Sequence, residues 1–446
     1  MKTIKIFSVV VGVSLAIAVC VSESFSQSNP RFIQFAPGTV KGALYTPDSG
    51  PPPHVGVVLM HPLASYLSHR ACTELSRRGF MVLGMNSRFD NNVTNIWWEE
   101  IALDVRQGVD FLRKQPGITK VVLLGHSGGS PTMTYYQAVA EKGMAYCQGG
   151  NKIIPCTDPG LKGLPPADGV VLMDAHPGNP IIGTLRANNP AIINETPNLL
   201  DPSLDPFNPA NGYNPNGASK YSEEFKTRYF KAQADRMNRL IAQALEKWKR
   251  IQAGTYERYP DDDIFVIPSA GTSRPGPPGS ATLSLLDPSI EATTAQPRKL
   301  LKNDGTIVTQ IVENVKVGDP NIKKESAGFR DGAKIFTVKS FLSYNAIRAT
   351  DSQTGIDWCS SNNSNPCALQ SISVPVLITA AGGFYLMRDN ESLYEVAVSR
   401  DKDFIIIEGA DHQMMPCKPC EKTPGQYSNA NKNFYDYVAK WITARF

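Results

Sequence analysis

Five consecutive residues, Gly125-His126-Ser127-Gly128-Gly129, follow the apolar run Val121-Val122-Leu123-Leu124 and precede a helical segment from Ser130 to Lys142. This G-x-S-x-G between a strand and a helix is the context of a nucleophile elbow, in which a serine on a strained turn is lifted above a sheet edge. Glycines two residues to either side remove side chains that would clash across so sharp a bend, and Gly125 and Gly129 meet that demand. A serine hydroxyl is a weak nucleophile at neutral pH and needs a base within hydrogen-bond reach, itself oriented by a third group.

The chain offers only six histidines for that base. His54 lies in a proline-rich turn, His69 in a helix, and His61 and His176 follow strands. His126, inside the elbow, is expected to point away from the reacting face. His412 follows the last strand in the loop Glu408-Gly409-Ala410-Asp411-His412 and fits best. For the orienting acid, Asp174 ends the strand Gly169 to Met173, whereas Asp389 and Glu391 follow the strand Pro375 to Thr379 after a longer loop. All three keep the order serine, acid, histidine. Asp174 is preferred because sheet geometry alone holds it. Asp411, adjacent to His412, would face the wrong way. The oxyanion requires two N–H donors: Gly128, next to the serine, and, in His61-Pro62-Leu63-Ala64, Leu63 or as second choice Ala64, since Pro62 carries no N–H.

The elements that must position these residues alternate. Val55 to Met60, Met81 to Met85, the elbow strand, Gly169 to Met173, Pro375 to Thr379 and Phe404 to Ile407 read as buried strands. Helices fall between them, including Trp98 to Lys114 with Ile101, Val105, Val109 and Leu112 on one face. That order predicts an α/β fold: a mostly parallel central sheet with helices on both faces. From about residue 177 to 373 the alternation breaks. One long helix, 222–253, carries an apolar stripe of Phe230, Ala234, Met237, Ile241, Ala244, Trp248 and Ile251, a packing face. Asp304-Gly305 followed by Thr306 to Val317 suggests a strand in a hairpin, and Gly271 to Gly279 reads as a loop. The expected organisation is a core in two parts, 31–178 and 373–446, interrupted by a large mixed cap or lid over 179–372.

Lys2 and Lys5 followed by the apolar stretch Ile6 to Val21 and then Ser24-Phe25-Ser26 read as a signal peptide, 1–26, cleaved near Ser26. An uncleaved anchor and a lipid-modified Cys20 are the rival readings. Beyond it no later segment is apolar enough to span a membrane. Seven cysteines remain, six of them as close pairs: 147 with 156, 359 with 367, and 417 with 420. Such pairs are expected to form short-loop disulfides in an oxidising compartment, leaving Cys72 as a buried thiol. A redox role for Cys417-Lys418-Pro419-Cys420 lacks the flanking strand and helix of a thioredoxin-like motif. Hydrophobic content of 41%, charged content of 19% and a net charge of +4 describe a globular chain without the basic, aromatic-studded patch of a nucleic-acid binder.

On Gly125 to Gly129, on His61-Pro62-Leu63 in place of a His-Gly pair, and on Gly409-Ala410-Asp411-His412, the chain resembles the α/β-hydrolase superfamily. The resemblance covers 31–178 and 373–446. It implies a Ser-acid-His triad without metal or cofactor. Most members carry the acid after the strand matching Pro375 to Thr379, where this chain has Ala380-Ala381-Gly382-Gly383-Phe384. Leu172-Met173-Asp174-Ala175 resembles the branches that carry it one strand earlier, among them certain haloalkane dehalogenases and lipases, although dehalogenases use an aspartate nucleophile. The expected function is an exported (periplasmic or secreted) serine hydrolase acting on a small-molecule carboxylic ester. The alternatives are amide or C–C bond hydrolysis or acyl transfer by the same triad, or a non-catalytic binding protein that kept the fold.

Overall fold

The computed structural model describes residues 30–36, 38–196, 199–256, 261–268, 282–317 and 333–446. The signal-peptide reading of 1–26, Cys20 and the loop 271–279 lie outside the described residues.

Strands β1 (Arg31–Gln34), β2 (Lys41–Tyr45), β3 (Val55–His61), β4 (Met81–Asn86), β5 (Lys120–His126) and β6 (Gly169–Met173) form the first half of the central sheet. In the second half of the chain come β7 (Ile264–Ile267), β8 (Arg298–Leu301), β9 (Ile307–Gln310), β10 (Lys334–Thr337), β11 (Val376–Ala381) and β12 (Lys402–Ile407). Ten of these make one sheet in the order β1-β2-β4-β3-β5-β6-β11-β12-β8-β9. The run from β4 through β8 is parallel, and only the pairs β1/β2, β2/β4 and β8/β9 are antiparallel. This is the mostly parallel sheet that the alternation of elements predicts.

Parallel strands buried on both faces read as unbroken apolar runs. Within β3 the two-residue period still sorts the side chains: Val58 and Met60 enter one core, Val57 and Leu59 the other. Helices α2 (Trp98–Arg113), α3 (Gly129–Lys142) and α5 (Met387–Val396) cover the first face; α1 (Arg70–Ser76) and α6 (Ala430–Thr443) cover the second. The stripe Ile101, Val105, Val109 and Leu112 is wholly buried under α2. Each such side chain contributes about 1.5–3 kcal/mol by leaving water.

The long helix α4 (Glu223–Gln252) is capped by the Ser222 side chain, which accepts from the Phe225 N–H. Its stripe packs Ala234, Met237, Ile241, Ala244 and Ile251 against Phe265, Phe336 and Phe341, a third core separate from the two sheet faces. The two-stranded β7/β10 ribbon belongs to this third core. The expected cap block is not all of one kind, however. β8 pairs in parallel with β12, and the hairpin around Asp304-Gly305 carries β9 onto the edge of the central sheet. Leu300 and Leu301 enter opposite sheet cores, so residues 298–310 extend the sheet rather than cover it.

Three disulfides join Cys147 to Cys156, Cys359 to Cys367 and Cys417 to Cys420, the pairs that the spacing predicts, and Cys72 is free and buried. Among the described residues no helix is long and apolar enough to cross a membrane.

Candidate active site

β5 ends at His126, and Ser127 turns the chain into α3 with φ of 54°, in the left-handed region that costs a side-chain-bearing residue energy. The bend is held by the Ser127 N–H donating to the Met173 carbonyl at 3.2 Å and the Ser130 N–H donating to the Ser127 carbonyl at 3.0 Å. A Cβ on Gly125 would lie 2.5 Å from the Ser130 Cα, and one on Gly129 would lie 2.6 Å from the Met60 carbonyl oxygen. Both glycines are therefore required by backbone packing and not by flexibility alone.

The last loop brings His412 over the elbow. Its Nε2 lies 2.8 Å from the Ser127 Oγ, and its Nδ1 lies 2.6 Å from the Asp174 Oδ2. Asp174 follows β6, also at positive φ (40°), and is wholly buried. Its N–H donates to the Thr379 carbonyl at 2.9 Å, while its Oδ1 accepts the Ala381 N–H at 3.0 Å. Burial raises the carboxyl pKa, and the His412 hydrogen bond opposes that rise. With a carboxylate at Nδ1, the imidazole holds its proton there and turns the Nε2 lone pair to the serine hydroxyl.

The two other acids considered for the orienting position are engaged elsewhere. Asp389 receives the buried Arg186 guanidinium, at 2.9 and 3.0 Å to its two oxygens. Glu391 accepts from the Ala295 and Gln296 N–H groups and from Arg298 and Arg388. Asp411 turns inward on its own loop, accepting the Gln413 and Met415 N–H groups.

One expectation is corrected. The Leu63 N–H is not offered to the space above the serine: it donates to the Nδ1 of His61 at 3.0 Å, and the Ala64 N–H donates to the same atom at 2.8 Å. The His61 ring folds back over its own loop because those amides need an acceptor. Gly128 keeps its place beside Ser127, and the Nε2 atoms of His61 and His176 lie 2.6 and 3.1 Å from where its Cβ would be. The His126 ring makes no hydrogen bond to the Ser127 hydroxyl and is held by partners of its own. Its Nε2–H donates to the His412 carbonyl at 2.8 Å. Its Nδ1 accepts from the His69 Nε2 at 3.0 Å, and the His69 Nδ1 in turn accepts the Ala71 N–H at 3.2 Å. This file of imidazoles, stacked on Tyr66, supports the backbone of the His412 loop. Phe384 stacks on the His412 ring at 4.4 Å between centroids. Five of the six histidines thus converge on the elbow. Their placement at the end of β3, at the start of α1, at the end of β5, after β6 and after β12 was legible to within a residue or two; the directions of their rings were not.

Burial lowers the pKa of His61 and of His176 to about 3, of His69 to about 4, and of His126 well below its usual value. A lowered folded-state pKa means that the unfolded chain binds more protons. The stability these neutral rings contribute is therefore complete above pH 6.5, the unfolded value, and is lost as pH falls below it. Each ring steepens the loss by up to about 1.4 kcal/mol per pH unit. Denaturant titrations between pH 7.5 and 5 should show this slope. His69→Gln should flatten it by about one ring's share; an unchanged slope would contradict the lowered pKa of His69.

The parallel sheet, the positive-φ serine between β5 and α3, and the acid and histidine loops at the same sheet edge together define the α/β-hydrolase fold. No family model and no curated protein matches the chain. Among solved structures it is similar to a hypothetical protein from Pseudomonas aeruginosa, at 14% identity over 94% of this chain and 95% of that one, with a TM-score of 0.45. A siderophore hydrolase from Aspergillus fumigatus matches at 11% identity over 94% and 99%, TM-score 0.43. A thermostable carboxyl esterase from Bacillus coagulans matches at 12% identity over 94% and 98%, TM-score 0.42.

Proposed function

We propose that the chain is an exported serine hydrolase that cleaves carboxylic esters through an acyl-enzyme on Ser127. The observation that carries this reading is the unbroken line from the Ser127 Oγ through the His412 imidazole to the Asp174 carboxylate, at 2.8 and 2.6 Å. In this reading the Ser127 oxygen attacks the ester carbonyl while His412 takes its proton at Nε2. Asp174 holds the ring's tautomer and stabilises the imidazolium. The Gly128 N–H donates to the oxyanion. Collapse of the tetrahedral adduct expels the alcohol, which receives the proton from His412. Water, deprotonated by the same nitrogen, then releases the acid and restores Ser127. The three short-loop disulfides and the apolar N-terminal stretch support export. The core built around α4 is read as the cap above the sheet edge, without residues 298–310.

A fluorophosphonate probe tests the nucleophile. It should modify the native protein at one residue, Ser127, mapped by peptide mass, and prior labelling should abolish turnover of a p-nitrophenyl ester. Modification elsewhere, or turnover that survives complete labelling, would refute the assignment.

A further inference from the structure

The loop after β3 has used up the amides that the oxyanion was expected to need. Pro62 has no N–H, and the Leu63 and Ala64 N–H groups both donate to the His61 Nδ1, at 3.0 and 2.8 Å. Those two bonds have a chemical consequence for the other end of the ring. An imidazole nitrogen that accepts hydrogen bonds carries no proton, so the single proton of neutral His61 resides on Nε2. That Nε2 lies against Gly128, 2.6 Å from the position a Cβ would take there, and no hydrogen bond engages it among the described residues. Gly128 is the residue whose N–H is the first oxyanion donor in the reading above.

We propose that His61 is a catalytic residue: its side-chain Nε2–H is the second donor to the oxyanion, in place of a backbone amide of the 62–64 loop. The inference rests on the serine-hydrolase reading. Burial keeps the ring neutral, so it donates as an imidazole and gives up no proton. His176 is the other ring at this wall, with its Nε2 3.1 Å from the same Cβ position. Its Nδ1 is buried without a partner among the described residues, so nothing fixes its proton on the nitrogen that faces Gly128. No bond to His61 is made or broken in the reaction; it stabilises charge as the carbonyl oxygen becomes anionic and releases it on collapse.

Two substitutions separate this role from support of the loop. Asparagine reproduces the near, accepting atom of a histidine ring and keeps the Leu63 and Ala64 bonds, but it cannot reach the oxyanion. Glutamine places an amide N–H near the far nitrogen and loses the loop acceptor. The measurement is kcat and KM on a p-nitrophenyl ester, with Tm, for the wild type, His61→Asn and His61→Gln. His61→Asn should keep Tm and KM and lose about 10²–10³ in kcat, while His61→Gln retains most of the rate. Wild-type kcat in His61→Asn, or equal losses in both variants, overturns the proposal. If instead the wild type shows no Ser127-dependent turnover, the hydrolase reading itself has failed. A neutral His61→Asn in an active enzyme removes only the donor assignment.

Discussion

Ser127→Ala should lower kcat on p-nitrophenyl esters by about 10⁶ and leave Tm near that of the wild type. The size of the loss follows from the covalent route, because without the oxygen no acyl-enzyme forms and only direct attack by water remains. The small effect on stability follows from the structure. Alanine keeps the Cβ at φ 54°, so the backbone strain of the turn is neither added nor relieved. The hydroxyl makes one side-chain hydrogen bond, to His412 at the partly buried edge of the site. Steady-state kinetics with a thermal melt on the same preparation checks both halves. Undiminished turnover would place the nucleophile elsewhere, and a collapse of Tm would make Ser127 a structural residue of the elbow.

The acid gives the second large effect, and two aspartates give opposite results. Asp174→Asn should lower kcat by about 10⁴ with little change in Tm. Asparagine still accepts the Ala381 N–H through its oxygen, but it turns an NH₂ toward the His412 Nδ1. The ring must then accept at Nδ1 and carry its proton on Nε2, where it can no longer take one from Ser127. Asp389→Asn should do the reverse. It removes the counter-charge of Arg186, a guanidinium only 8% exposed, and breaking a buried pair costs about 3–5 kcal/mol. Its Tm should fall while kcat per folded molecule holds. Exchange of these two patterns would move the orienting role from the end of β6 to α5.

What was legible follows the range of the interactions involved. The elbow could be read locally because a left-handed serine and a glycine whose Cβ would strike Ser130 act within one turn, although the clash that keeps residue 129 a glycine comes from the Met60 carbonyl on β3. The strands were legible because burial on both faces leaves unbroken apolar runs, and the face of α2 because its 3.6-residue period lies within one helix. The disulfides followed from short spacing in chain. The sheet-edge hairpin was half legible: Asp304-Gly305 marked a turn, but docking of β8 beside β12 depends on a strand a hundred residues away.

At the site the same division holds. That Ser127, Asp174 and His412 lie at the ends of β5, β6 and β12 is a matter of order along the chain, and parallel strands deliver such ends to one edge. Which nitrogen of which ring faces them is not. His61 turns onto its own loop, consuming the Leu63 amide that spacing had offered as a donor. His126 reaches across to the His412 carbonyl. Glu391 and Asp389 are taken up by Arg298, Arg388 and Arg186. Residue types and their order thus determined the alternating architecture, the elbow and the candidates to serve it. Only the folded chain decided among those candidates, because a buried polar group takes whichever partner completes its hydrogen bonds, and that partner is set by packing between segments far apart in sequence.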